Sequence, residues 1–188
     1  MRLSKPRVAP TDPAGWSDEQ KEIFKGVTER GPPLNIFRTL AHHPAAAKAY
    51  LRFANHVLSR ANTIPARERE LVILRIGYLC KSGYEFTQHK AIGLRAKLTE
   101  DEIERLKKGP DAPGWSATDK VLLQATDDLH TDHHIADATW AELKKHFTDQ
   151  QLIDLVFTVG QYTQTSMMLN TMGVQLDPGQ TLDPDLKK

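Results

Sequence analysis

The sequence predicts an all-α protein, a bundle of about eight helices, and three observations predict it. Apolar residues recur at three- and four-residue spacings along most of the chain. Three capping boxes, Ser17–Gln20, Thr99–Glu102 and Thr148–Gln151, announce helix starts, because each pairs a hydroxyl at the cap with an amide or carboxyl three residues on. No segment combines strict alternation with β-branched enrichment, so no strand is expected. At 188 residues, 39% hydrophobic, the chain is long enough for one domain with a core of its own.

Residues 1–16 carry Pro6, Pro10 and Pro13 without periodicity and read as an extended arm, either lying along a neighbouring subunit or mobile. The domain proper is expected at 17–175. Its first helix starts at the Ser17 box and runs to about Arg30, where Gly31-Pro32-Pro33 stops it. A short helical segment follows from Asn35 to His42, and Pro44 launches a helix to about Ala61. Residues 65–95 read as two helices joined by a tight turn at Lys81-Ser82-Gly83. Residues 71–80 are apolar on nearly every side except Arg75, which marks a buried helix. The Thr99 box opens a short helix to about Lys108, and Gly109–Gly114 is a loop. Ser116 caps the next helix, with Val121, Leu122, Ala125 and Leu129 as its apolar stripe. Asp137 starts a helix through His146. The Thr148 box opens the longest, to 172, where Gly173 stops it. Its methionines read as gap-filling core. Residues 176–188 leave as a polar tail.

The central pair of helices holds the candidate chemistry. At about 100° per residue, Glu70 shares an apolar face with Ile73, Leu74 and Gly77. A carboxyl group committed to such a face has its pKa raised and suits proton transfer near neutrality, although a glutamate in a first turn is equally at home as a cap or ion-pair partner. Glu85 and His89 stand one turn apart on the second helix. Such a pair either poises the imidazole as a proton donor or is an ordinary surface pair. Antiparallel packing brings Glu70 to within about one turn of His89, a gap that a water or a long side chain would bridge.

The order RERELVILR, YLCKSGYE and QH, with NIFRTLAHHP at 35–44 and LTEDEI at 98–103, resembles the carboxymuconolactone decarboxylase family and its relatives, the alkylhydroperoxidase D-type peroxidases. In the peroxidase branch, a glutamate is followed twelve residues later by the first cysteine of a C-x-H-C-x-x-x-H run. Carried over by spacing, the glutamate is Glu70, Ser82 and Glu85 stand where the two cysteines belong, Tyr84 replaces the first histidine, and His89 is the last. The relay survives without the dithiol. The resemblance therefore implies a cofactor-independent, decarboxylase-type lyase acting on a small carboxylated lactone or ring acid. His89 would donate the proton, Glu85 would orient it, and Glu70 would serve as buried relay, while Tyr84, Ser82 and His43 would contact substrate. His42 and His43 read equally as polar turn residues. The family also implies a homo-oligomer, a trimer or hexamer.

Two other functions are weighed: hydroperoxide reduction by the lone Cys80, and an oligomeric relative that has lost the reaction. One cysteine excludes an internal disulfide and any C-x-x-C pair. A net charge of +1 argues against nucleic-acid and membrane-surface partners. No apolar run spans a bilayer, and MRLSKPRVAP lacks a signal peptide's apolar core, so a cytoplasmic location is expected. His130, Asp132, His133 and His134 form a metal-like cluster, but their place in a loop without a distant partner ligand reads as solvated, and no metal is expected.

Overall fold

The computed structural model describes residues 1–187. Nine α-helices form the chain among these residues: α1 (Asp18–Thr28), α2 (Asn35–Leu40), α3 (Pro44–Leu58), α4 (Ala66–Leu79), α5 (Gly83–Arg95), α6 (Glu100–Lys108), α7 (Ala117–Thr131), α8 (Asp137–Leu143) and α9 (Asp149–Met172). No strand is present among them. All three capping boxes close on both sides, the cap oxygen accepting the third N–H and the third side chain accepting the cap N–H. Gly173 ends α9 with a left-handed φ of 68°, and Lys5 O lies only 2.9 Å from where a Cβ would stand.

Helix α4 is the axis of the fold, packed against α5, α6, α7 and α9. Every residue from Glu70 to Gly77 is buried, as its unbroken apolar surface predicts. Val72, Ile73 and Ile76 pack with α7 and α9, while Leu71 and Leu74 pack with α5, α6 and α7. Arg75 is the one cation in this buried run and is satisfied on all sides. Its Nε and Nη2 donate to the two oxygens of Asp127 at 2.7 and 2.6 Å, and Nη1 donates to the carbonyls of Leu106 and Lys107 at the end of α6.

Several expectations are corrected. The N-terminal residues lie along their own chain: the Arg7 and Val8 N–H groups donate to Met172 O, and Trp16 is buried against Phe24 with ring centroids 5.0 Å apart. The tail folds back instead of leaving. Leu186 joins the core and Asp183 takes a bond from Lys107 Nζ at 2.8 Å. Met167 is 63% exposed and fills no gap, because it stands on the outer face of α9 with Ile153, Val156 and Phe157. His130 belongs to the last turn of α7, not to a loop. Among the described residues, no helix is long and apolar enough to cross a membrane.

Candidate functional site

The turn between α4 and α5 is closed by the Ser82 N–H donating to Gly77 O at 2.9 Å, which sets the two helices antiparallel. Gly93, one turn beyond His89, lets them lie close: a Cβ there would be 3.1 Å from Leu74 Cδ1 and 3.8 Å from Glu70 Cβ. The expected gap between Glu70 and His89 is therefore absent. His89 Nδ1 lies 2.7 Å from Glu70 Oε2 in a direct bond, with Glu70 1% and His89 7% exposed. The carboxylate accepts from Nδ1 and fixes the ring, which leaves Nε2 as the nitrogen available to a ligand.

Glu85 is not the partner of His89. No hydrogen bond joins them among the described residues; helical spacing brings two Cβ atoms near each other without setting where the side chains turn. Glu85 instead points at the junction of α4 and α9, where Ser166 Oγ donates to its Oε2 at 2.9 Å. Its Oε1 has no partner and occupies the space left by Gly77, since a Cβ on Gly77 would stand 2.8 Å from it. Complete burial holds its pKa well above the ordinary carboxyl value, and the Ser166 bond offsets this only in part.

Beside these groups opens a cavity of about 770 Å³ between α5, α9 and the α1–α3 segment. Its walls are largely apolar, from Leu34, Ile36, Phe37, Leu51, Ile92 and Leu169. Its polar lining includes Tyr50, Tyr84, Glu85, Gln88, His89, Gln161, Tyr162 and Thr165, with the exposed Arg30 also on the wall. His89, Glu85 and Tyr84 thus share one cavity. Ser82 and His43 do not line it. Ser82 is fully buried behind the turn, its hydroxyl without a partner. His43 is an exposed N-cap of α3, where its Nδ1 accepts from Ala46 N at 3.3 Å.

Tyr84 lines the cavity, but its hydroxyl donates to Asp177 Oδ2 at 2.6 Å. Asp177 also accepts from Gln88 Nε2 at 2.7 Å and, through Oδ1, from the Asn35 N–H at 2.8 Å. It thereby caps α2 from the far end of the chain, where α2 has no side-chain cap of its own. Sequence reasoning assigned Asp177 to the tail and gave no role to Tyr50, Gln161, Tyr162, Thr165 or Ser166. The available signal was that Gln161 and the Thr165–Ser166 pair, one turn apart on α9, are polar yet buried, in a helix whose buried side also carries Leu152, Leu155, Val159 and Leu169.

Cys80 stands apart from the cavity lining, half-buried, with Sγ 3.9 Å from His130 Nδ1. Burial and the nearby Glu85 push its thiol up to about 11. Among the described residues, no three His, Cys, Asp or Glu side chains are arranged to hold a metal ion.

Solved structures share this architecture. The alkylhydroperoxidase AhpD core of a peroxidase-related protein from Ralstonia eutropha JMP134 superposes with a TM-score of 0.80 at 19% identity, covering 92% of this chain and 93% of the other. A peroxidase-related protein from Silicibacter sp. TM1040 gives 0.77 at 18%, covering 94% and 92%. A cysteine-to-alanine variant of the debrominase Bmp8, in complex with 2,3,4-tribromopyrrole, gives 0.77 at 13%, covering 93% and 94%. At such identities the likeness establishes the fold alone. No curated protein matches the sequence. The carboxymuconolactone decarboxylase family model matches residues 44–128, the stretch that contains α3 to α6, both members of the Glu70–His89 pair and most of α7, so it is over the site-bearing part of the chain that the sequence is similar to that family.

Proposed function

We propose that the protein is a cofactor-independent carboxy-lyase that decarboxylates a small carboxylated lactone or ring acid, with His89 as the proton donor. The observation that carries this reading is His89 in the wall of a largely apolar cavity, held from behind at 2.7 Å by the buried Glu70. Breaking the bond to the carboxylate releases carbon dioxide and leaves an electron pair delocalised onto a conjugated oxygen. The pair returns to carbon as His89 delivers a proton there, and solvent restores that proton. A positioned acid of this kind contributes about 10² to 10⁴ in rate. Glu70 takes the orienting role first expected of Glu85, which is held instead as a buried, neutral acid. The small ring bound to Bmp8 supports a ring-sized ligand for this fold.

Peroxide reduction through Cys80 is disfavoured, because a thiol pushed up to about 11 holds almost no thiolate at neutral pH. The exposed apolar side chains of Ile153, Phe157 and Met167 on α9 support a homo-oligomer, which sedimentation would reveal.

The test is carbon dioxide release from a panel of carboxylated lactones and unsaturated ring acids. The wild type is expected to turn over at least one of them, His89→Gln to lose 10²-fold or more, and Glu70→Gln to fall in between. Undiminished turnover by His89→Gln overturns the assignment.

A further inference from the structure

Decarboxylation needs a second partner besides the proton donor: something must hold the oxygen onto which the electron pair moves. Three tyrosines line the cavity, and their hydroxyl protons can be traced. Tyr84 donates to Asp177 at 2.6 Å. Tyr50 meets Thr165 Oγ1 at 3.2 Å, and because the Thr165 hydroxyl already donates to Gln161 O at 2.8 Å, Tyr50 is the donor in that contact. Both protons are committed.

Tyr162 is different. It is 5% exposed, its ring meets His89 edge-on with centroids 4.8 Å apart, and its hydroxyl has no hydrogen-bond partner among the described residues. The adjacent Gln161 is 2% exposed, and its Nε2 is buried without a partner. Two uncommitted donors on one turn of α9, both lining the cavity beside His89, are an unmet demand for an acceptor. Burial keeps the Tyr162 phenol protonated far into the alkaline range, so it is a donor at any working pH.

We propose that Tyr162, helped by Gln161, is the donor that receives the electron-sink oxygen of the substrate. The inference rests on His89 being the proton donor and narrows the substrate class. The ring must carry a carbonyl oxygen conjugated to the carbon that is protonated, placed within reach of both Tyr162 and His89. Ring acids without such an oxygen are excluded.

The probe is 4-nitrophenol, a small planar ring whose phenolate spreads its charge as an enolate does and whose absorbance reports on the hydrogen bonding of its oxygen. Saturable binding to the wild type is expected, with 4-nitrotoluene, which lacks the oxygen, binding at least tenfold more weakly. A bond to a charged oxygen is worth a factor of about 10 to 100 in affinity, and Tyr162→Phe is expected to lose that factor. Tyr84→Phe should change affinity for the probe less, since its hydroxyl is turned to Asp177. Thermal unfolding separates binding from structure: Tyr162→Phe removes a hydroxyl with no protein partner and should leave the melting temperature within a few degrees of wild type. Equal affinity in Tyr162→Phe and wild type, or no detectable binding of the phenol, overturns the proposal. A Tyr162-dependent affinity in a wild type that releases carbon dioxide from none of the ring acids would instead overturn the carboxy-lyase reading and leave this subsite standing.

Discussion

Replacing Gly77 by alanine tests the packing beneath the cavity. In the middle of α4, glycine to alanine ordinarily stabilises a helix by about 1 kcal/mol. Here the new methyl would lie 2.8 Å from Glu85 Oε1, 3.5 Å from its Cδ and 3.6 Å from its Cγ. The buried glutamate can retreat only toward the cavity, and doing so gives up the bond by which Ser166 holds its other oxygen at 2.9 Å. Overpacking costs about 1 to 3 kcal/mol, and giving up the Ser166 bond about 0.5 to 1.5 kcal/mol. The clash outweighs the helix gain, and Gly77→Ala should be destabilised by roughly 2 kcal/mol after the propensity term is subtracted. Urea unfolding followed by far-ultraviolet circular dichroism measures this. Gly26→Ala is the control, since nothing lies within 4 Å of a Cβ at that position in α1, and it should gain up to about 1 kcal/mol. In the double variant Gly77→Ala, Glu85→Ala the two changes should couple favourably, because the second removes the atom the first collides with. A Gly77→Ala protein that gains stability as Gly26→Ala does refutes this account of Glu85.

Glu85 also makes stability depend on pH. Its folded-state pKa is raised above the unfolded value, so between the two the native protein binds one more proton than the unfolded chain. Its contribution is full below about pH 4.5 and is lost as pH rises through the folded value, at up to about 1.4 kcal/mol per pH unit. Glu85→Gln should therefore flatten the fall in stability from pH 5 to 8, and parallel curves for the two proteins would count against a buried neutral acid. Asp177→Ala should lower stability by roughly 2 to 4 kcal/mol, because it strips the acceptor from Tyr84, Gln88 and the Asn35 N–H together. Limited proteolysis should then cut the tail sooner; unchanged melting and cleavage would show the tail to be merely apposed. For Cys80, raising the thiol from 9.0 to about 11 reduces the thiolate at pH 8 by roughly 100-fold, and a thiol reagent should react that much more slowly with native than with denatured protein. Fast native labelling would restore the peroxide reading.

What was legible in the sequence is what neighbours along the chain decide. The three caps, the buried α4 and the Gly173 stop are each set within a few residues, and they stand where the pattern places them. The site was legible in part. Glu70 and His89 belong to consecutive helices, so their meeting follows from one turn and the closeness that Gly93 permits. Glu85 was matched to the wrong partner because its orientation is decided by Ser166, 81 residues away, and by a gap at Gly77 that only tertiary packing reveals. Tyr162 is buried like its apolar neighbours, and nothing in its position along the chain singles it out. Its uncommitted hydroxyl emerges only when the protons of Tyr50, Thr165 and Tyr84 are traced across three helices.

Asp177 follows every residue that lines the cavity, the last of which is Leu169. Because Asp177 follows α9, the carboxylate that caps α2 and accepts from Tyr84 and Gln88 is made after all three of them. The segment of α2 that supplies Ile36 and Phe37 to the cavity wall is fastened by a residue about 140 positions downstream of the helix it caps. The near wall of the cavity, although made early, is thus held to the scaffold of α4, α5 and α9 by one of the last residues of the chain.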